Sequence, residues 1–248
     1  MKNLIVGSLA LGLLFGCGSG DTSESEGSSG INLWDYMVPK ESLSIVFDKI
    51  TLLNNEVSTT ENGLFTHEYT VVSDHEVNGA WRDKEGEYAI KLENDLLYYA
   101  PIESDPDYSW SSGSIQASRS EGDFIYRSTG DYGGSTTSGG TTSSLSVSGL
   151  DCVVNKVYDT IMLYEGYSYA DVLEIKCETS LNQKYGESDA PLIVHGVDRY
   201  YEYYQRDRGW IGKVNKDCIV AIGDDTFEFI DDNNGSCVQH RSEYILAQ

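Results

Sequence analysis

The residue types best suited to chemistry in this chain are five cysteines, four histidines and a large excess of carboxylates, with 40 Asp and Glu against 17 Lys and Arg. Cys152, Cys177, Cys218 and Cys237 form an even set that reads as two disulfides. Of the three possible pairings, the sequential one, Cys152 with Cys177 and Cys218 with Cys237, sets each pair across a hairpin. The turns would lie at Glu165-Gly166 and around Asn233-Asn234-Gly235. Loops of that size would each stabilise the fold by about 3 to 4 kcal/mol. Paired in this way, the four leave no cysteine as a nucleophile, and there is no Gly-x-Ser-x-Gly elbow to present a serine.

The metal-ligand spacings are weak. Cys237 and His240 are three apart, but no Cys-x-x-Cys completes a zinc set. His67-Glu68 and His75-Glu76 lie eight apart in strand-like sequence, whereas a zincin needs two His four apart on a helix; solvated strand or turn positions are expected. Asp224, Asp225 and Glu228, and then Asp231 to Ser236, gather hard oxygen ligands. Aligning Gly235 with the sixth position of an EF-hand loop puts Ile230 first and Arg241 twelfth, which excludes that motif. The remaining Ca²⁺ candidate is Asp232 with Asn234 and Ser236. The run Gly209-Trp210-Ile211-Gly212-Lys213-Val214 has glycines too close together for a phosphate loop, and it reads as a turn. Carboxylates are too abundant for a glycosidase pair to be picked out. No catalytic residue and no resident cofactor is expected, and the chain reads as a non-enzyme.

The elements that would carry these residues are strands. Short runs rich in Val, Ile, Tyr, Phe and Thr recur between polar turn pairs from Ser44 to Arg241, without sustained helical periodicity. The expectation is an all-β, mainly antiparallel fold: a curved sheet, half-barrel or sandwich-like meander with two disulfide-closed hairpins. Turns are expected at Asn62-Gly63, Asn78-Gly79, Glu85-Gly86 and Asn94-Asp95. Ser128 to Gly149 holds 18 Ser, Thr or Gly among 22 residues and reads as a mobile loop or a long polar hairpin. A disordered excursion from a single sheet is the simpler expectation, and a subdomain boundary the alternative.

Tyrosine occurs 18 times. Alternation in Tyr200-Tyr201-Glu202-Tyr203-Tyr204 puts Tyr201 and Tyr203 on one face and Tyr200 and Tyr204 on the other. Such a sheet is either covered on both faces or presents an aromatic platform. Tyr201 and Tyr203, helped by Trp110 or Trp210, are the candidates for stacking on a sugar or an apolar ligand. A net charge of −23 argues against nucleic-acid partners, because phosphates need a basic face.

At the N-terminus, Met1-Lys2 precede an apolar run from Leu4 to Gly16 that is too short to span a bilayer and matches a signal peptide. It ends in Leu14-Phe15-Gly16-Cys17, which resembles the bacterial lipobox; Phe15 departs from the usual small or aliphatic residue. The resemblance implies removal of residues 1 to 16 and acylation of Cys17, so that the membrane is met through acyl chains. Gly18, where lipoproteins of enteric-type bacteria retained at the inner membrane carry Asp, implies the outer membrane. Residues 17 to 32 then form the lipidated Cys and a flexible tether, and 33 to 248 the folded domain.

Three further segments look like those of uncharacterised bacterial lipoproteins: Leu33 to Pro39, Tyr169 to Cys177, and Tyr203-Tyr204 leading into Gly209 to Val214. A more distant likeness, at the level of fold alone, is to the LolA-type carriers, whose open half-barrel holds lipid. The function implied is a lipid-anchored envelope lipoprotein with a structural or interaction role. The alternatives are a carrier of lipid or a small apolar ligand, and a carbohydrate-binding or adhesive module.

Overall fold

The structure, a computed structural model, describes residues 30–81, 87–102, 114–138, 141–186, 192–222, 225–229 and 237–248. Within 127–149, 179–198 and 217–239 only backbone is described. After a two-residue strand β1 (Ile31–Asn32) and a short helix α1 (Leu33–Met37), the chain is almost entirely strand. The first run comprises β2 (Leu43–Leu53), β3 (Glu56–Ser73), β4 (Glu76–Trp81), β5 (Glu87–Glu93), β6 (Leu96–Ile102) and β7 (Ser114–Gln116). A two-residue β8 (Ser118–Arg119) pairs with β1. The second run is β9 (Phe124–Ser138), β10 (Thr141–Tyr164), β11 (Tyr167–Gly186), β12 (Leu192–Gln205), β13 (Gly209–Ile222), β14 (Asp225–Phe229) and β15 (Cys237–Ala247).

All neighbours in the sheet are antiparallel. Its order is β7-β6-β5-β4-β3-β2-β15-β13-β12-β11-β10-β9, with β14 added to β13. The two meanders are therefore joined by the last strand, β15, lying between β2 and β13. The sheet curls into a nearly closed barrel, with its seam where short β7 comes near β9. The expected curved antiparallel sheet is present, and it goes on to a nearly closed barrel rather than stopping at a half-barrel or forming a sandwich. β15 supplies the missing neighbour for both meanders, and strand twist then brings the far edges together.

Tight turns fall where left-handed backbone is available. Asn54-Asn55 and Asn94-Asp95 all have positive φ (50°, 68°, 53° and 63°), the twist that suits two-residue hairpins. Glu165-Gly166 is also a turn, as expected. Asn62-Gly63 is not: it is a bulge inside β3, with Gly63 at φ 63° and its amide donating to Asp48 Oδ1 at 2.7 Å. Asn78-Gly79 lies within β4, paired with Ala89 and Tyr88 of β5, and the Tyr88 ring leaves no room for a side chain at Gly79. Glu85-Gly86 is outside the described residues. The Ser/Thr/Gly-rich stretch forms the far part of the β9–β10 hairpin rather than an excursion from the sheet, its backbone paired residue by residue from Ser138 opposite Thr141 to Asp131 opposite Ser148.

The helix was not foreseen, since five residues are too few to show a helical period. Asn32 caps it, accepting from the Trp34 amide at 3.1 Å, and Leu33 and Tyr36 are buried. Leu33 N also donates to Ala117 O at 2.8 Å, and Asp207 N to Asp35 O at 2.7 Å. These bonds plug α1 into the barrel end where the chain enters, which we call the base.

Cys152 and Cys177 are directly opposite on β10 and β11 and form a disulfide, the first of the two expected. For the second, register sets Cys218 opposite His240 and Cys237 opposite Val220 on β13 and β15; these side chains lie outside those described.

Candidate functional site

Three groups of polar side chains are built by this fold. The first lies inside the barrel near its base. Phe47 stacks with Phe65 at 5.0 Å and meets Trp210 at 4.7 Å. Beside them His67 is fully buried, with its Nε2 2.7 Å from the Tyr88 hydroxyl. The Trp210 amide donates to the Tyr69 hydroxyl at 3.3 Å, and the Tyr204 hydroxyl donates to Glu202 at 2.8 Å. Tyr204 on β12 feels Tyr69 on β3, four strands away around the sheet, which shows the barrel interior closing on itself. His67 was expected to be solvated and is not, because the alternation that buries Phe65 and Tyr69 buries it too. Burial pushes its pKa down to about 3 and those of Tyr69 and Tyr99 up to about 12. At neutral pH the imidazole and these phenols are uncharged, with His67 Nε2 and the Tyr88 hydroxyl hydrogen-bonded to each other.

The second group is on the outer face. Tyr201 and Tyr203 do share that face, beside Glu174, a carboxylate only 5% exposed. Glu174 accepts from the Asn155 amide and from the Tyr158 hydroxyl, and Tyr203 bonds to it as well. Burial and then this carboxylate raise the Tyr203 pKa. The tip of the β10–β11 hairpin runs past the end of β12 and folds back over the same face. Asp171, at φ 52°, makes the bend. Beyond it Tyr167 donates to Asp48 on β2, Tyr169 donates to the Ala247 carbonyl at 2.6 Å, and Tyr164 meets Tyr244 at 5.4 Å. The chain thus covers much of its own aromatic face. Trp210 is on the opposite face in the core, so the sequence-level platform is divided between inside and outside. Trp110 lies outside the described residues.

The third group was not found from the sequence. Above the aromatic floor, the inner faces of β2, β15 and β13 turn polar. Glu243 holds Lys49 at 3.1 Å and Arg241 at 3.0 Å, while Lys213 sits over the Tyr200 ring, 3.7 Å from its centroid. Lys213, Asn215, Glu243 and Ile245 line a small cavity of about 40 Å³. Gly212, next to Lys213, has no room for a side chain, since a Cβ there would lie 2.4 Å from the Ile245 carbonyl. A larger residue at this point of β13 would press on the backbone of β15.

Other sequence candidates are dispersed. His75 is exposed in the β3–β4 turn, and the Gly209 to Val214 run opens β13 after a turn at Arg206-Asp207. Asp232, Asn234 and Ser236 lie outside the described residues. Among the described residues no three His, Cys, Asp or Glu side chains gather as a metal-binding set, and no helix is long and apolar enough to cross a membrane.

No family model, curated protein or solved structure matches this chain.

Proposed function

We propose that this protein is a lipid-anchored β-barrel of the bacterial cell envelope, held at the outer membrane through acyl chains on Cys17, and that it acts by binding rather than by catalysis. The observation that carries this reading is where the chain enters the barrel. Residues 30 to 37 close the base, while β10, β11 and β12 run on toward the opposite rim. A tether from Cys17 to Gly30 spans at most roughly 45 Å, so an acylated Cys17 would turn the sealed base toward the bilayer and the far rim away from it. The Cys152–Cys177 disulfide suits an oxidising compartment. The buried cluster of His67 and tyrosines, with its His67–Tyr88 and Trp210–Tyr69 hydrogen bonds, suits a rigid scaffold.

Mass spectrometry of the native protein tests the anchor. The expected N-terminal peptide begins at an acylated Cys17, and Cys17→Ser leaves the signal uncleaved. An unmodified chain beginning at Met1 in the aqueous fraction would overturn the reading.

Carriage of an apolar ligand draws less support, because rings fill the interior near the base and charges line it above. A glycan platform at Tyr201 and Tyr203 draws less too, because the folded-back hairpin occupies their face.

A further inference from the structure

We propose that the cavity between β13 and β15 binds a small oxyanion that still carries an O–H, with inorganic phosphate as the type. The proposal is independent of the membrane anchor.

Four observations converge on it. Lys213 forms no ion pair among the described residues: its ammonium lies over the Tyr200 ring, and the cross-strand Glu202 accepts from the Tyr204 hydroxyl. Two residues on, the buried Oδ1 of Asn215 has no hydrogen-bond partner. An orphaned buried acceptor costs free energy comparable to a lost hydrogen bond unless something donates to it. Both residues line one cavity, of about 40 Å³, enough for an oxyanion head but not for an apolar ligand. Lastly, Glu243 on the same wall is offset by both Lys49 and Arg241.

An anion alone would satisfy Lys213 and repel Asn215 Oδ1. A neutral donor would satisfy Asn215 and leave the ammonium without a counter-charge. A protonated oxyanion does both, with its O–H donating to Asn215 and a charged oxygen accepting from Lys213. Half-buried, these contacts are less screened than they would be on the surface.

The test compares two ions of like size by calorimetry on the mature protein. Inorganic phosphate keeps an O–H at neutral pH, whereas sulfate has only acceptors. Phosphate is expected to bind in the millimolar range or tighter, and sulfate at least about tenfold more weakly, the cost of an unmet buried acceptor. Methyl phosphate, largely without its last proton at pH 7.5, should track sulfate, which separates free phosphate from an esterified head group. Lys213→Met should weaken phosphate binding about tenfold or more, and Asn215→Leu should remove the preference over sulfate. Absence of phosphate binding at about 10 mM would overturn the proposal, leaving water as the cavity's occupant. Equal affinity for the two ions would also overturn it. The wild-type comparison stands even if a variant fails to fold.

Discussion

The Tyr88 hydroxyl lies 2.7 Å from Nε2 of His67, and both side chains are buried in the barrel. Burial holds the folded-state pKa of His67 near 3, against about 6.5 in an unfolded chain. Between those values the unfolded state binds a proton that the native state does not, so stability is full above about pH 6.5 and falls as the pH drops. Each unit below 6.5 should remove about 1.4 kcal/mol. His67→Gln has no proton to gain and should lose this slope. Asp48 and Glu178 do not blur the comparison. Burial works to raise each, but hydrogen bonds and ion pairs outweigh it and hold them low, so their losses begin only in the carboxylate range. Urea midpoints of the two proteins at pH 7.5, 5.5 and 4.5 decide the matter: parallel curves would rule out a neutral buried His67.

Gly212 and Gly79 should resist substitution for different reasons. At Gly212 a methyl would lie 2.4 Å from the Ile245 carbonyl, which belongs to the backbone of the neighbouring strand. At Gly79 it would meet the Tyr88 ring at 2.4 Å. Either alanine should cost about 1 to 3 kcal/mol or more through overpacking. Gly63→Ala meets only Val46 at 3.9 Å and should cost only the backbone strain of its positive φ, about 1 kcal/mol. Thermal melts of the three variants should rank Gly63→Ala as the mildest.

Asp171 bends β11 and also ties the base together. It accepts from Arg206 Nε at 2.6 Å and from the Tyr36 hydroxyl at 2.9 Å. Arg206 also reaches Asp35 at 3.2 Å and packs on the Tyr36 ring. Asp171→Gly and Asp171→Ala both lose these bonds, but only alanine is strained at φ 52°. Alanine should therefore be the less stable by about 1 kcal/mol. Hydrogen exchange should show Tyr164 to Tyr169 opening more readily in both; unchanged protection there would mean that the hairpin tip is held without this latch.

The antiparallel all-β class was legible because alternation and turn chemistry are local. Asn94-Asp95 and Glu165-Gly166 turn as their residue types require, whereas Cys152 faces Cys177 only because register shifts at Val154/Lys156 and Met162/Tyr164 move the β10–β11 pairing by two residues. The same local signals misled at Asn62-Gly63 and Asn78-Gly79. There the glycines meet side chains of the neighbouring strand, Asp48 at Gly63 and Tyr88 at Gly79, and stay inside the sheet. His67 illustrates the limit: it alternates with Phe65 and Tyr69 on one face, but only the closing of the barrel over that face decides that it is fully buried.

The order of residues was enough to determine the strand class, the charge, the tyrosine alternation and the turns at Asn94-Asp95 and Glu165-Gly166, since each depends on neighbours a few positions apart. Only the tertiary structure decided that β15 would lie between β2 and β13. That placement brings Lys49, Lys213, Asn215 and Glu243 to one wall, curls two meanders into a barrel and folds the β10–β11 tip over Tyr203. Contacts across some two hundred residues depend on which edges find partners and how twist closes the sheet, and that is a property of the whole sheet.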